Sequence, residues 1–494
     1  MKTWQALGLI LLALCALLGL LVSPLALVLP VAFFGLLLFL RYPEVLAACA
    51  FAVGLVPEAL MMAWGIPSVG LNLLDFAVLA MLGVALARWR EVQAALQREK
   101  WICVFVVFVF AAGVVALMHG YLVGFGVRTA FRNFRFYFDL LVTFYFAALL
   151  RKPSQQRFVV AAWMLVVLVQ IFLVSTNRIV YSKDDLGTLL LAPSINWTST
   201  HFLPVKTFYP GLLALSILAV RDRHRRVLLS AGLWGMVGLQ LIVSAFTYRR
   251  SLYVGLLAGL LVVAVGMLVA EWHRTRHGVR LLVRMGAVTL ALIVASSTAF
   301  VLAVRSTSAD AAQVRENLLK RVLFVEQMET DSPIQERLEG LRAGWNDIRS
   351  NPLLGTGLGD SVSYLRAEVF HNGWLWVPVS AGLPALLALA LAIAIVGIKT
   401  LRTLGIGSET PWAWGLRLGF LASLGALAAN TLFWTSTLDI SDVFDWGLLL
   451  GVLTVSIPRQ LSREVVIDST AQPDLRVTGK KPRVPSQTKA RDFT

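Results

Sequence analysis

The chain has 494 residues, of which 58% are hydrophobic and only 15% charged, and it carries a formal charge of +16. A soluble globular domain averages about 45–50% apolar and about 25% charged residues, so this composition excludes a soluble globular protein and points to an all-α polytopic membrane protein. The basic residues are spread over short loops rather than gathered into a stripe. That pattern fits topology signals and contacts with membrane lipids, and it argues against nucleic acid as a partner.

In chain order, apolar blocks long enough to cross a hydrocarbon core fall at 6–22, 25–40, 44–63, 70–87, 101–118, 133–150, 158–175, 206–220, 227–246, 251–270, 281–303, 371–398, 412–432 and 439–457. The expectation is therefore about 12–14 transmembrane helices. The first block follows Met1-Lys2 and is read as an uncleaved span, because further apolar segments come at once and no small-residue cleavage pattern stands out. Cys15, Cys49 and Cys103 all lie inside apolar runs, with neither a disulfide framework nor metal-ligand spacing.

Alternate loops hold the basic residues. One set comprises Arg88, Arg90, Arg98 and Lys100; Arg151, Lys152 and Arg157; Arg221, Arg223, Arg225 and Arg226; Arg274, Arg276 and Arg280; Lys399 and Arg402. The positive-inside rule places this set in the cytoplasm, together with both termini. The expected organisation is a transmembrane bundle over 1–303, a large periplasmic helical loop over 304–370, further spans over 371–457, and a disordered basic cytoplasmic tail over 458–494.

The loop 304–370 carries predictable structure. Ser332, Pro333 and Gln335 fit an N-cap, a proline at the first helical position and a capping-box partner. Ile334, Leu338, Leu341, Trp345 and Ile348 then recur at helical spacing as one apolar stripe, which Asn351-Pro352 ends. Arg337 borders this stripe beside Ile348, with Arg342 and Arg349 on the other flank. An earlier amphipathic segment, about 309–327, presents Val314, Leu318, Val322 and Val325 on one side.

Outward-facing arginines are the anomaly in this topology. Arg249 and Arg250 lie in the turn TYRRS, Arg128, Arg132 and Arg135 gather near another outer boundary, and Arg337, Arg342 and Arg366 belong to the large loop. Guanidinium groups match phosphate oxygens in bidentate fashion and stay charged at any relevant pH. His371, followed by Asn372, opens a span and offers an imidazole able to take a proton from a hydroxyl. Cations and one histidine at a membrane surface suit a lipid-linked, phosphate-bearing substrate. The plainer readings are interfacial anchoring for the arginines and a loop hydrogen bond for the histidine. His119, His201, His224, His273 and His277 have no comparable setting.

Gly355, Gly357 and Gly359 resemble part of a phosphate-cradling loop, but no βαβ unit surrounds them, and turn glycines are the preferred reading. Asp439, Asp442 and Asp445 share a helical face and are read as partners for outer arginines rather than as a cation site. Glu58, Asp75, Asp139, Arg284 and Arg417 lie in or near spans, as packing polar groups or, in a transporter, as transport residues.

Three features give the chain a resemblance to the O-antigen ligase and polymerase family. They are Arg250 in TYRRSLYVG, the run RLEGL from Arg337 followed by Trp345 and NPLLGTGLG, and His371-Asn372-Gly373-Trp374-Leu375 with Gly382 beyond. The resemblance covers about 240–400. It implies a GT-C-like glycosyltransferase of the bacterial inner membrane with its active site facing the periplasm. The donor would be a glycan on undecaprenyl pyrophosphate, used with inversion and without metal or cofactor, and the acceptor a hydroxyl of a glycan, lipid or protein. Carried onto this sequence, His371, Arg337 and Arg250 become the catalytic residues, with Arg249, Arg342, Asn372, Arg366 and Arg132 around the substrate.

Ligase and repeat-unit polymerase remain alternatives within that reading. The competing classes are a secondary transporter of anionic lipid-linked or sugar substrates, working through Asp75, Asp139 and Arg417, and a non-catalytic assembly subunit.

Overall fold

In the computed structural model the described residues are 35, 37–53, 73–97, 99–150, 153–175, 208–220, 232–238, 250–274, 332–359, 372–404, 411–432 and 440–455. Among them the regular elements are helices and there is no strand. In chain order these are α1 (Pro43–Val53), α2 (Leu73–Ala87), α3 (Trp89–Leu96), α4 (Lys100–Leu122), α5 (Val127–Asp139), α6 (Val142–Leu149), α7 (Pro153–Ser175), α8 (Phe208–Val220), α9 (Arg250–Arg274), α10 (Ser332–Ser350), α11 (Gly373–Ala381), α12 (Leu383–Leu404), α13 (Pro411–Thr431) and α14 (Ile440–Val455). The expected spans 6–22 and 281–303, the segment 309–327 and the tail 458–494 lie outside the described residues.

Two helices, α4 with 23 residues and α12 with 22, are long and apolar enough to cross a bilayer. Shorter apolar stretches recur in α1, α2, α7, α9 and α14. With no strand among the described residues and apolar helices recurring along the chain, the fold is that of an all-α membrane protein.

The described helices pack in a consistent pattern: α13 against α8, α9 and α14, α14 against α6, α12 against α4, and α1 against α7. Close approach uses small residues, as expected where lipid removes the usual hydrophobic incentive between helices. At Gly419 of α13 a β-carbon would stand 2.8 Å from the Cα of Leu213 on α8. Aromatic rings fill the wider gaps. Phe51 meets Phe444 edge-on at 5.9 Å, and Trp163 stacks on Phe420 at 5.8 Å.

Two expected spans are interrupted. The block 133–150 is divided between α5 and α6, with tightened turns in which the amides of Leu141 and Thr143 bond carbonyls only three residues back. The block 371–398 breaks at Gly382, where φ is +85°. Hydropathy runs unbroken through both places, so only the backbone reveals them.

The spans α4 and α12 are antiparallel. At one end Lys399 of α12 pairs with Glu99, which caps α4. At the other end the amide of Leu358 donates to the carbonyl of Ala116, late in α4. The α10 region therefore sits at the end of the spans opposite the Glu99–Lys399 pair.

Candidate active site

The site region is a helix–turn–helix built from α10, the glycine turn and α11, seated on α4 and α12. Helix α10 covers Ser332–Ser350, as the cap and the Asn-Pro stop predict. Its packed face differs from the predicted stripe. Gly340, Gly344 and Ile348 are buried, whereas Leu338 and Trp345 are 42% and 49% exposed. Ile348 packs on Val379, with Ala343, Leu375 and Leu383 around them. Gly340 and Gly344 fall on the same face as Ile348, so the buried face follows residues at i, i+4 and i+8 rather than the largest apolar ones.

The turn is fixed by its own backbone. The amide of Gly355 donates to Asn351, Thr356 to Val379 at 2.7 Å, Gly357 to Ser380 and Leu358 to Ala116. These four donors are already committed to carbonyls, so this turn is not a phosphate cradle. Gly357 has φ +87°, and a β-carbon there would meet the Gly120 amide of α4 at 2.7 Å. The turn glycines are thus demanded by a wedge between α4 and α11, in line with the preferred reading of the sequence.

Helix α11 is short because Pro378 lies inside it and Gly382 turns left-handed at its end. Asn372 is its N-cap, with the side-chain oxygen accepting from the Leu375 amide at 3.0 Å. Three contacts lock the helix laterally. The Trp374 indole donates to the Ala428 carbonyl of α13 at 2.8 Å. Trp376 lies 5.7 Å from the Tyr137 ring of α5. The Tyr137 hydroxyl is 2.7 Å from Ser380 Oγ, which itself donates to the Trp376 carbonyl.

Helices α10 and α11 run parallel. The Leu383 amide bonds the Pro352 carbonyl, and Ile348 meets Val379, each pair 31 residues apart. On that register Asn372 is level with Leu341, and Arg337 falls about one turn further along α10.

The remaining candidates are distributed as follows. Arg250 is the first residue of α9 and Arg337 belongs to the second turn of α10. Arg342 is exposed on α10, and Arg132 is half-buried on α5. His371, Arg249, Arg366 and Asp439 lie outside the described residues. Asp445 is buried in α14.

Arg135 departs from the outward set. It is 3% exposed and forms a bidentate pair with Asp75 of α2, with Nε–Oδ1 at 2.6 Å and Nη2–Oδ2 at 2.9 Å. Its guanidinium is bound inside the bundle and is not offered to an outer cavity. The sequence held a signal for this pairing, since an acid and an arginine assigned to different spans each need a partner.

Residues 235–390 match the O-antigen ligase family. That stretch, 156 of the 494 residues, is the part of the chain similar to the family. It takes in α9, α10, the glycine turn and α11, the same elements that carry the sequence resemblance. No curated protein matches the chain. The O-antigen ligase family is one of ligase- or polymerase-type glycan transfer in a membrane, from a lipid-linked donor to an acceptor.

Proposed function

We propose that the protein is an inverting, metal-independent glycosyltransferase of the bacterial inner membrane. It would move a glycan from undecaprenyl pyrophosphate to an acceptor hydroxyl at the periplasmic face, in the manner of an O-antigen ligase. The single observation that best supports this is the parallel seating of α10 and α11. On the proposed reading this seating brings the Arg337 turn level with Asn372, the residue after His371, at the end of the spans away from Glu99 and Lys399.

In the proposed reaction the acceptor oxygen attacks the anomeric carbon of the lipid-linked sugar from the face opposite the phosphate. The carbon–oxygen bond to the pyrophosphate breaks, and the electron pair leaves with polyprenyl pyrophosphate. Arg337 and Arg250, with Arg249, Arg366 and Arg132 nearby, stabilise the charge growing on that leaving group. Arg342 stands at the edge where a lipid-borne phosphate arrives. His371 takes the hydroxyl proton, a role worth about 10²–10⁴-fold in rate. Asn372 holds the first turn of α11 behind it.

The test is glycan transfer by purified, inserted protein. His371→Ala is expected to lose about 10²–10⁴-fold and Arg337→Ala about 10²–10³-fold, each with an unchanged melting profile. Near-normal product from His371→Ala would remove the base assignment. Deleting the gene separates the two family chemistries. Long chains accumulating on the carrier indicate a ligase, and short unextended units indicate a polymerase.

A further inference from the structure

Apart from Arg342, placed above at the edge of the donor's path, the exposed side of α10 takes no part in the proposed transfer chemistry. Leu338, Arg342, Trp345 and Arg349 are all exposed and fall at i, i+4, i+7 and i+11, within an arc of about 60°. The Arg349 guanidinium lies over the Trp345 ring, 5.6 Å from its centroid. Glu339, Asn346 and Ser350, also exposed, form a separate polar edge about 100° further round. The helix thus has three strips: a buried seam, an apolar strip studded with arginine, and a polar strip carrying an acid.

A strip of leucine and tryptophan with interleaved arginines suits a membrane interface, because arginine stems can lie along the apolar surface while their heads reach lipid phosphates. The level of α10 in the fold agrees. Its seam rests against Leu383, the first residue of the span α12. The chain leaving it exposes Leu353 and Leu354, at 71% and 54%, beside the α11–α12 junction at Gly382. From there the lipid-length span α12 exposes Leu387 and Leu391 in turn.

We infer that the Leu338–Arg342–Trp345–Arg349 strip of α10 is a membrane-contact surface that lies on anionic phospholipid. Leu338 and Trp345 enter the headgroup–acyl boundary, and Arg342 and Arg349 meet lipid phosphates. The Trp345 ring holds Arg349 flat along the strip. This surface keeps α10 on the bilayer whether or not a glycan donor is bound.

The experiment uses full-length protein in nanodiscs without polyprenyl carrier, so that phospholipid is the sole source of lipid phosphate. Cys15, Cys49 and Cys103 are replaced by serine. Nitroxide labels are then placed through Leu338→Cys, Trp345→Cys, Glu339→Cys or Asn346→Cys. In phosphatidylglycerol-containing discs the labels at 338 and 345 are expected to collide preferentially with oxygen, and those at 339 and 346 with an aqueous nickel chelate. Replacing phosphatidylglycerol with phosphatidylcholine, or introducing Arg342→Gln and Arg349→Gln, is expected to raise nickel access at 338. The expected change is about fivefold per arginine lost. Equal nickel access at all four positions overturns the proposal, because the strip then faces water. Shielding of 338 and 345 from both probes also overturns it, because protein then covers the strip. Oxygen preference that ignores lipid charge and both arginine substitutions overturns the anionic assignment. Glycan transfer is not read, so failure here is separate from failure of the proposed function.

Discussion

The Asp75–Arg135 pair shows what a single contact can decide. Each side chain is 3% exposed and the pair is bidentate, so each buried charge is set against the other. Removing one partner of such a pair costs about 3–5 kcal/mol, whereas replacing both with apolar residues of similar size is often neutral or better. Asp75→Asn is therefore expected to lower the melting temperature sharply, and Asp75→Leu with Arg135→Leu to recover most of the loss. The double variant should also keep glycan transfer, because this guanidinium serves the bundle. A transporter working through intramembrane charge would instead lose its activity in the double variant even with stability restored. Thermal melting in detergent, read beside a transfer assay, separates the two.

At the scale of elements, Asn372 joins a structural role to a proposed chemical one. It caps α11, a helix of nine residues whose first turn follows His371 directly. Losing an N-cap costs about 1 kcal/mol, so Asn372→Ala is expected to lower stability slightly and to weaken transfer more than stability. Asn372→Ser and Asn372→Asp restore the cap. If Asn372 acts through the helix, both variants recover stability and transfer together. Recovery of stability alone would show that the amide itself touches substrate.

The same elements show why part of the fold was legible and part was not. Ser332, Pro333 and the Asn351-Pro352 stop announce α10 because caps and prolines act locally on the backbone. The buried face of α10 differs from the predicted stripe because periodicity follows large apolar residues, while the buried positions include Gly340 and Gly344. The division of 371–398 at Gly382 was hidden for a related reason. One left-handed glycine leaves hydropathy unchanged but redirects the chain, and here its neighbour is the backbone of Leu353. Some site candidates come from segments about 90 residues apart, such as Arg250 on α9 and Arg337 on α10. Their proposed grouping rests on the family resemblance, because local patterning carries no information on which distant turns meet.

For the whole molecule, the decisive feature is that α4 and α12 are tied at both ends. Glu99 and Lys399 close one end, and the Ala116–Leu358 hydrogen bond fastens the glycine turn at the other. A span of 23 residues is about 35 Å long, enough to hold these two ends on opposite sides of the hydrocarbon layer. In the proposed topology Lys100, Lys399 and Arg402 mark the cytoplasmic end by the positive-inside rule, with α10 and the start of α11 outside. Cysteines introduced at the exposed positions Gln97 and Ser350 test this arrangement, since they lie toward the two ends. A membrane-impermeant maleimide added to spheroplasts is expected to label Ser350→Cys at once, and Gln97→Cys only after the membrane is opened. Labelling of both from the same side would contradict the antiparallel pair. Labelling of Gln97→Cys alone from outside would invert the protein and place the proposed site in the cytoplasm, away from a periplasmic acceptor.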